Sequence, residues 1–428
     1  IKMADANASQ NDFLLKLFFE KKRWEVATEK AYGKKINEQK LREMCSPDTR
    51  IELYREIKDG SYKIAPPHEA QIPKDDGSMR TVYINEDQDR VILSIINDML
   101  FDYCRELIHP RCKSYQKGLG CGKIVKEASQ VLHRTPGTTV GVKIDLSKYF
   151  DSVPIRYIDE VFDKVEAKTG KSKIIDLLRT YYHDDTVLDM EKKPIQKYTS
   201  LRQGCAVAAF LADAVLYDVD KAISGYDVFY VRYSDDILIT GKQWRKAYEK
   251  LSEMLEAKDL KLNPNKVEQL SPDRWFKFLG FTIKDNLISI SKKRVKTFQK
   301  EIEQRTFRSK SKNLKQILHQ VYGFLYKGQQ DYSWATGILP IINVPRDINT
   351  LNQFVMDAVR AAVTRKARIG GLGVITDGDN YTITRGKGRN VRANREKLPQ
   401  LENYMTIKCM QNAMLTSKEA YKVLVQNL

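Results

Sequence analysis

Paired-cysteine motifs are missing from the sequence. Cys45, Cys104, Cys112, Cys121, Cys205 and Cys409 form no C-x-x-C pair, so their spacing indicates neither a disulfide framework nor a structural zinc site. Only five histidines are present, which speaks against a zinc hydrolase. No run approaches the roughly 18 consecutive apolar residues of a membrane span, and the opening IKMADANASQ lacks the charged-then-apolar layout of a signal segment. A cytoplasmic protein with no membrane partner is the expectation. With 22 Gly and 13 Pro in 428 residues, a collagen-like or low-complexity chain is excluded. The 22 Tyr, 15 Phe and 4 Trp are too many for a disordered polyelectrolyte.

What is present is an excess of positive charge, +18 overall, and it is unevenly placed. Residues 291–428 hold 25 Lys and Arg against 10 Asp and Glu, whereas residues 1–290 are nearly balanced at 48 against 45. A basic segment interleaved with aromatics and glycine suits a polyphosphate backbone, because each neutralised phosphate releases counterions. Within it, Arg385, Lys387, Arg389, Arg392 and Arg395 fall in a stretch with no helical period and form a candidate nucleic-acid-binding arm.

Residues 1–60 are polar with apolar clusters at helical spacing and read as an appended helical layer. Turn residues between Tyr62 and Gly77 predict a hairpin. Residues 86–109, 171–182 and 205–224 read as helices, the last mostly apolar and hence buried. GVKID and VFYVRYSDDILITG read as buried strands, the second pair joined by an acidic turn. WRKAYEKLSEMLEAKDL is an amphipathic helix, FKFLGFTI with LISIS another hairpin, and the pattern beyond Lys292 is helical. Strands and helices in irregular order predict an α+β fold.

The acidic turn is the strongest chemical signal. Asp235 and Asp236 are adjacent carboxylates between apolar strands, and Asp145 ends another buried strand ninety residues earlier. Hard divalent cations take carboxylate oxygens, and magnesium keeps positions open for water and phosphate. Two such ions about 3.5–4 Å apart serve an in-line phosphoryl displacement.

GVKIDLSKYFDSVP at 141–154 and RYSDD at 232–236 resemble the two metal-binding motifs of reverse transcriptases. The rest falls in that family's order. IPKDDGSMRTVYINEDQDRVI resembles the fingers segment of group II intron-type enzymes, LRQGCAVAAFLAD their Gln-Gly motif, LKLNPNKVE the next segment with its lysine, and FKFLGF the primer-grip hairpin. The resemblance implies a right-hand polymerase: a helical extension at 1–60, fingers and palm at 61–290, a helical thumb at 291–368, and a basic arm and helix at 369–428.

It further implies Asp145, Asp235 and Asp236 as ligands of two Mg2+ ions and Lys266 as a proton donor to pyrophosphate. Lys74 and Arg80 would neutralise the incoming triphosphate, and Phe150 would act as a steric gate selecting deoxynucleoside triphosphates. Gln203 and Gly204 would meet the nascent base pair. The implied activity is RNA-directed DNA synthesis on a structured noncoding RNA template, with DNA as product. Residues 337–365 resemble the thumb of domesticated bacterial enzymes, including defence-associated ones. The alternatives are a group II intron-encoded reverse transcriptase or maturase and a non-catalytic RNA-binding chaperone. One departure is clear: related enzymes follow Gln-Gly with Pro-x-Ser-Pro and end in Ala-Asn, whereas this chain has Ala206, Val207, Ala208, Ala209 and then Ala212-Asp213.

Overall fold

The computed structural model describes residues 12–364 except 32–35, 37, 74–78, 135–139, 307, 310–312 and 328–332, together with Lys422 and Gln426. Lys74, the five basic residues from Arg385 to Arg395, and all of the helix expected at 400–427 except Lys422 and Gln426 lie outside the described residues. The chain divides into two compact units. The first holds the described residues up to Lys117 with Val142–Ile239 and Gln243–Val267, and the second holds Gly118–Gly141, Thr240–Lys242 and the described residues from Glu268 onward.

The first unit is built around the helix Asp87–Tyr103, whose Val91, Ile92, Ile95, Ile96, Met99 and Leu100 are buried. Its helical period places these side chains on the core-facing surface. Amino-terminal helices pack on it: Arg23 of the helix Lys21–Ala31 pairs with Asp102 at 3.2 Å, and Lys30 pairs with Asp98. The helix Pro47–Asp59 shows why this layer is helical, since Ser46 caps its first turn, Pro47 needs no amide partner there, and Gly60 leaves in the left-handed conformation at φ +83°.

Strands β1 (His68–Pro73) and β2 (Met79–Ile84) form the expected hairpin, somewhat further along the chain than the turn signals suggested. β1 also pairs in parallel with β4 (Thr186–Leu188), which pairs with β5 (Pro194–Gln196). These last two strands have no period long enough to be read from the sequence. In a separate sheet, β7 (Asp236–Thr240) lies between β6 (Phe229–Tyr233) and β3 (Gly141–Asp145). The α+β expectation holds.

Two helix readings need correction. The predicted helix 86–109 ends at Tyr103, because the Tyr103 carbonyl receives the Lys168 ammonium while the Leu107 amide turns to Cys104 in a single tight turn, Arg105–Leu107. The predicted helix 205–224 is two helices, Ala208–Ala214 and Tyr217–Ile223. In a continuous helix the carbonyls of Ala212 and Asp213 would accept from Leu216 and Tyr217; here they accept from the guanidinium of Arg232.

In the second unit, the helix Cys121–Arg134 packs on the sheet of β9 (Phe276–Phe278), β10 (Phe281–Lys284) and β11 (Leu287–Ile290), with the Ser129 hydroxyl donating to the Asp285 carbonyl at 2.9 Å. β8 (Glu268–Leu270) precedes this sheet. The helices Lys292–Arg305, Leu314–Tyr322 and Pro345–Thr364 pack together, and Phe298 meets Trp334 edge to face at 4.5 Å. No described helix is long and apolar enough to cross a membrane.

Candidate active site

The site lies within the first unit, where β3 ends. Val142 and Ile144 are buried on the strand, and Asp145 at its end is only 8% exposed. The next amide, Leu146 N–H, donates to the carbonyl of Asp235 at 3.1 Å, which ties the end of β3 to the acidic turn between β6 and β7. Asp145 is fixed from the other side as well. Its carbonyl accepts from Asn263 N–H at 2.9 Å, and its Oδ2 accepts from Lys266 Nζ at 2.8 Å. Lys266 ends a short turn, Pro264–Lys266, capped by the Asn263 side chain.

Crowded carboxylates give the site its electrostatic character. Burial raises the proton affinity of Asp235, and the charge of Asp145 raises it further, while Lys266 and Arg80 act in the opposite sense. Asp236 is pushed up to about 6, first by burial; Lys143 opposes this, and Asp235 and Asp145 add to it. Like charges held together at a partly desolvated turn are costly unless a cation is present. Among the described residues no group of three or more His, Cys, Asp or Glu side chains is drawn close enough to hold a metal ion by itself. The donors here are carboxylate oxygens alone, repelling one another, with one ammonium already on Asp145, and this set fits a hard divalent cation.

The other predicted residues take these places. Lys148 at φ +47° turns the chain from β3 into the helix Tyr149–Ser152. Tyr149 is buried and donates to the Ala212 carbonyl at 2.7 Å, while Phe150 is half-buried and its carbonyl accepts from Leu201 N–H at 3.1 Å. That contact joins the Phe150 segment to the loop Thr199–Gly204, in which Ser200, Arg202 and Gly204 all have positive φ. The loop is braced by Arg202, which is buried over the ring of Tyr181 at 4.1 Å.

The Gln203 carbonyl accepts from Tyr83 N–H at 2.8 Å, which fastens the Gln-Gly pair onto β2. A Cβ at Gly204, whose φ is +114°, would lie 2.6 Å from the Tyr83 carbonyl oxygen, so only glycine permits the approach. Arg80 is exposed on β2.

Residues not singled out from the sequence hold the acidic turn. Arg232 is fully buried and makes a bidentate pair with Asp220 at 2.8 and 2.7 Å. Tyr230 OH also donates to Asp220, at 2.5 Å. The available signal was an arginine inside an otherwise apolar strand, VFYVRY, together with acids in a buried helical stretch.

Residues 72–283, just under half the chain, match the family model described as reverse transcriptase (RNA-dependent DNA polymerase). No curated protein matches the sequence. Among solved structures, the chain is similar to apo telomerase from Candida tropicalis at 12% identity, with a TM-score of 0.46, covering 71% of this chain and 57% of that one. A form of that telomerase truncated from its C-terminal domain is similar at 14% identity and TM-score 0.43, covering 55% and 59%. Telomerase from Candida albicans in complex with a TWJ fragment of telomeric RNA is similar at 12% identity and TM-score 0.38, covering 71% and 59%. This chain therefore spans less than two thirds of the length of these telomerases. Residues 72–283 thus match the domain type of RNA-directed DNA polymerases, which are nucleotidyltransferases.

Proposed function

We propose that this protein copies RNA into DNA, with Asp145, Asp235 and Asp236 holding two Mg2+ ions. The carrying observation is the hydrogen bond from Leu146 N–H to the Asp235 carbonyl, which joins the two carboxylate-bearing segments inside the residues that match the reverse transcriptase family. When bound, the ions supply charge stabilisation for the attacking and leaving oxygens.

The protein's own residues do the rest. Arg80, with Lys74, offers positive charge to the triphosphate of an incoming deoxynucleotide, and the planar fork of arginine suits phosphate oxygens. Phe150 excludes a ribose 2′-hydroxyl by its bulk. Gln203 and Gly204 present backbone close to the nascent base pair. Lys266 carries a proton beside Asp145 and delivers it to the departing pyrophosphate.

The basic residues between Arg385 and Arg395 bind RNA, and the template is a structured noncoding RNA that accompanies the protein, in a bacterial antiphage setting. In this reading 1–60 is an appended helical layer, 61–290 fingers and palm, 291–368 thumb and 369–428 a basic arm and helix. The double substitution Asp235→Asn with Asp236→Asn is expected to abolish magnesium-dependent deoxynucleotide incorporation on an RNA template and to leave RNA binding nearly intact. Full polymerisation by that variant would overturn the site assignment.

A further inference from the structure

Ser234 is the residue on which the acidic turn pivots, and its backbone is in the left-handed region at φ +58°. For a side chain other than glycine this conformation is strained, so it persists only where the surroundings over-determine it. Here they do. Its N–H donates to Ser114 Oγ at 2.9 Å, its carbonyl accepts from Arg232 Nη1 at 3.2 Å, and its hydroxyl accepts from Tyr115 OH at 3.0 Å. Every polar group of the turn residue is thus held.

Ser114 can accept from Ser234 only if its own proton points elsewhere. That proton goes to Asp213 Oδ1. Ser114 and Asp213 are both completely buried, so no water competes for the hydroxyl. The other neighbour within reach of Ser114 is the Cys112 thiol at 3.3 Å, a weak partner. Asp213 is itself set by its backbone carbonyl, which accepts from Arg232 Nη2 at 2.8 Å, and its Oδ2 is buried with no hydrogen-bond partner. A carboxylate with one oxygen spent on a serine hydroxyl and the other idle acts here as a one-point orienter.

We propose that Asp213 and Ser114 are positioning residues for nucleotide transfer: Asp213 fixes the Ser114 hydroxyl, which fixes the Ser234 amide and thereby the direction of the Asp235 and Asp236 carboxylates. The inference rests on the reading of Asp235 and Asp236 as the metal-holding pair. Neither Asp213 nor Ser114 touches substrate in this scheme. Their contribution is geometric, and a misplacement on the order of 1 Å at such a site costs about a hundredfold in rate.

The test compares Ser114→Ala, Asp213→Leu and Asp213→Asn with the wild type, and uses Asp235→Asn as a control for the underlying reading. The readouts are kcat and KM for deoxynucleotide on an RNA template and amide hydrogen exchange of the peptide containing Ser234. Ser114→Ala and Asp213→Leu are expected to lower kcat by about ten- to a hundredfold with KM little changed, and to speed exchange at the turn. Asp213→Asn is expected to restore both values toward wild type, because an amide oxygen accepts from Ser114 as a carboxylate does. If Asp213→Leu fails to fold, the smaller Ser114→Ala change carries the comparison.

Unchanged kcat and exchange in Ser114→Ala would overturn the proposal, as would equal losses in Asp213→Asn and Asp213→Leu, which would mark a packing role. Full activity in Asp235→Asn would instead overturn the metal-site reading. Turn exchange that still accelerates in Ser114→Ala would then show the positioning chain intact around a different chemistry.

Discussion

Replacing Asp213 by Asn isolates the cost of burying one carboxylate. Burial pushes this group up to about 7 from an ordinary 3.8, against the pull of Arg232, whose Nη1 lies 4.0 Å away, and of the Ser114 hydroxyl; Asp220 adds to the rise. The other groups that face it are the Cys112 thiol and the Tyr115 and Tyr149 phenols. Burial raises all three, so they stay protonated through neutral pH; burial is also the largest influence on Arg232 and opposes its charge, but the charge and hydrogen bonds of Asp220 with the other groups around it together keep it charged.

The folded-state value of Asp213 lies above the unfolded one. Between about pH 4 and pH 7 the folded chain therefore keeps a proton that the unfolded chain has released. Its contribution to stability is complete below pH 4, falls as pH rises through that window, and is flat above it. Roughly three pH units at about 1.4 kcal/mol each set an upper figure of about 4 kcal/mol. Asn cannot ionise. Asp213→Asn should match wild type near pH 4 and exceed it by about 2–4 kcal/mol at pH 8.5, because every other titrating group is common to both chains and cancels. Urea midpoints of the two proteins at a series of pH values measure this difference. A difference that does not change with pH would refute the reasoning, as would one that grows toward acid.

Phe150→Ala should admit ribonucleotides while reducing deoxynucleotide use, read as the ratio of the two in a competition assay; unchanged discrimination would place the gate at another side chain. Gly204→Ala should destabilise the protein by roughly 1–3 kcal/mol in urea unfolding, because a Cβ at φ +114° presses on the Tyr83 carbonyl at 2.6 Å and must loosen the contact with β2. A variant as stable as wild type would mean that the Gln-Gly loop is not fastened to β2.

The sequence by itself determined the elements whose period or chemistry is local. Apolar strands around an acidic dipeptide, a buried strand ending in Asp145 and the long helix at 87–103 all follow from residues that are neighbours along the chain. Only the tertiary structure decided where helices stop and what holds the turn. Apolar pattern alone carries 205–224 through as one helix, and it breaks because Arg232, a distant side chain, takes two of its carbonyls. β4 and β5 are too short to show a period, and pairing makes them strands, β4 with β1 and β5 with β4.

The same reason hides the Ser114, Asp213 and Arg232 support of Ser234. Its members are separated by up to 120 residues, each is an ordinary polar residue in its own segment, and their joint effect exists only once burial forces every donor and acceptor among them to find a partner.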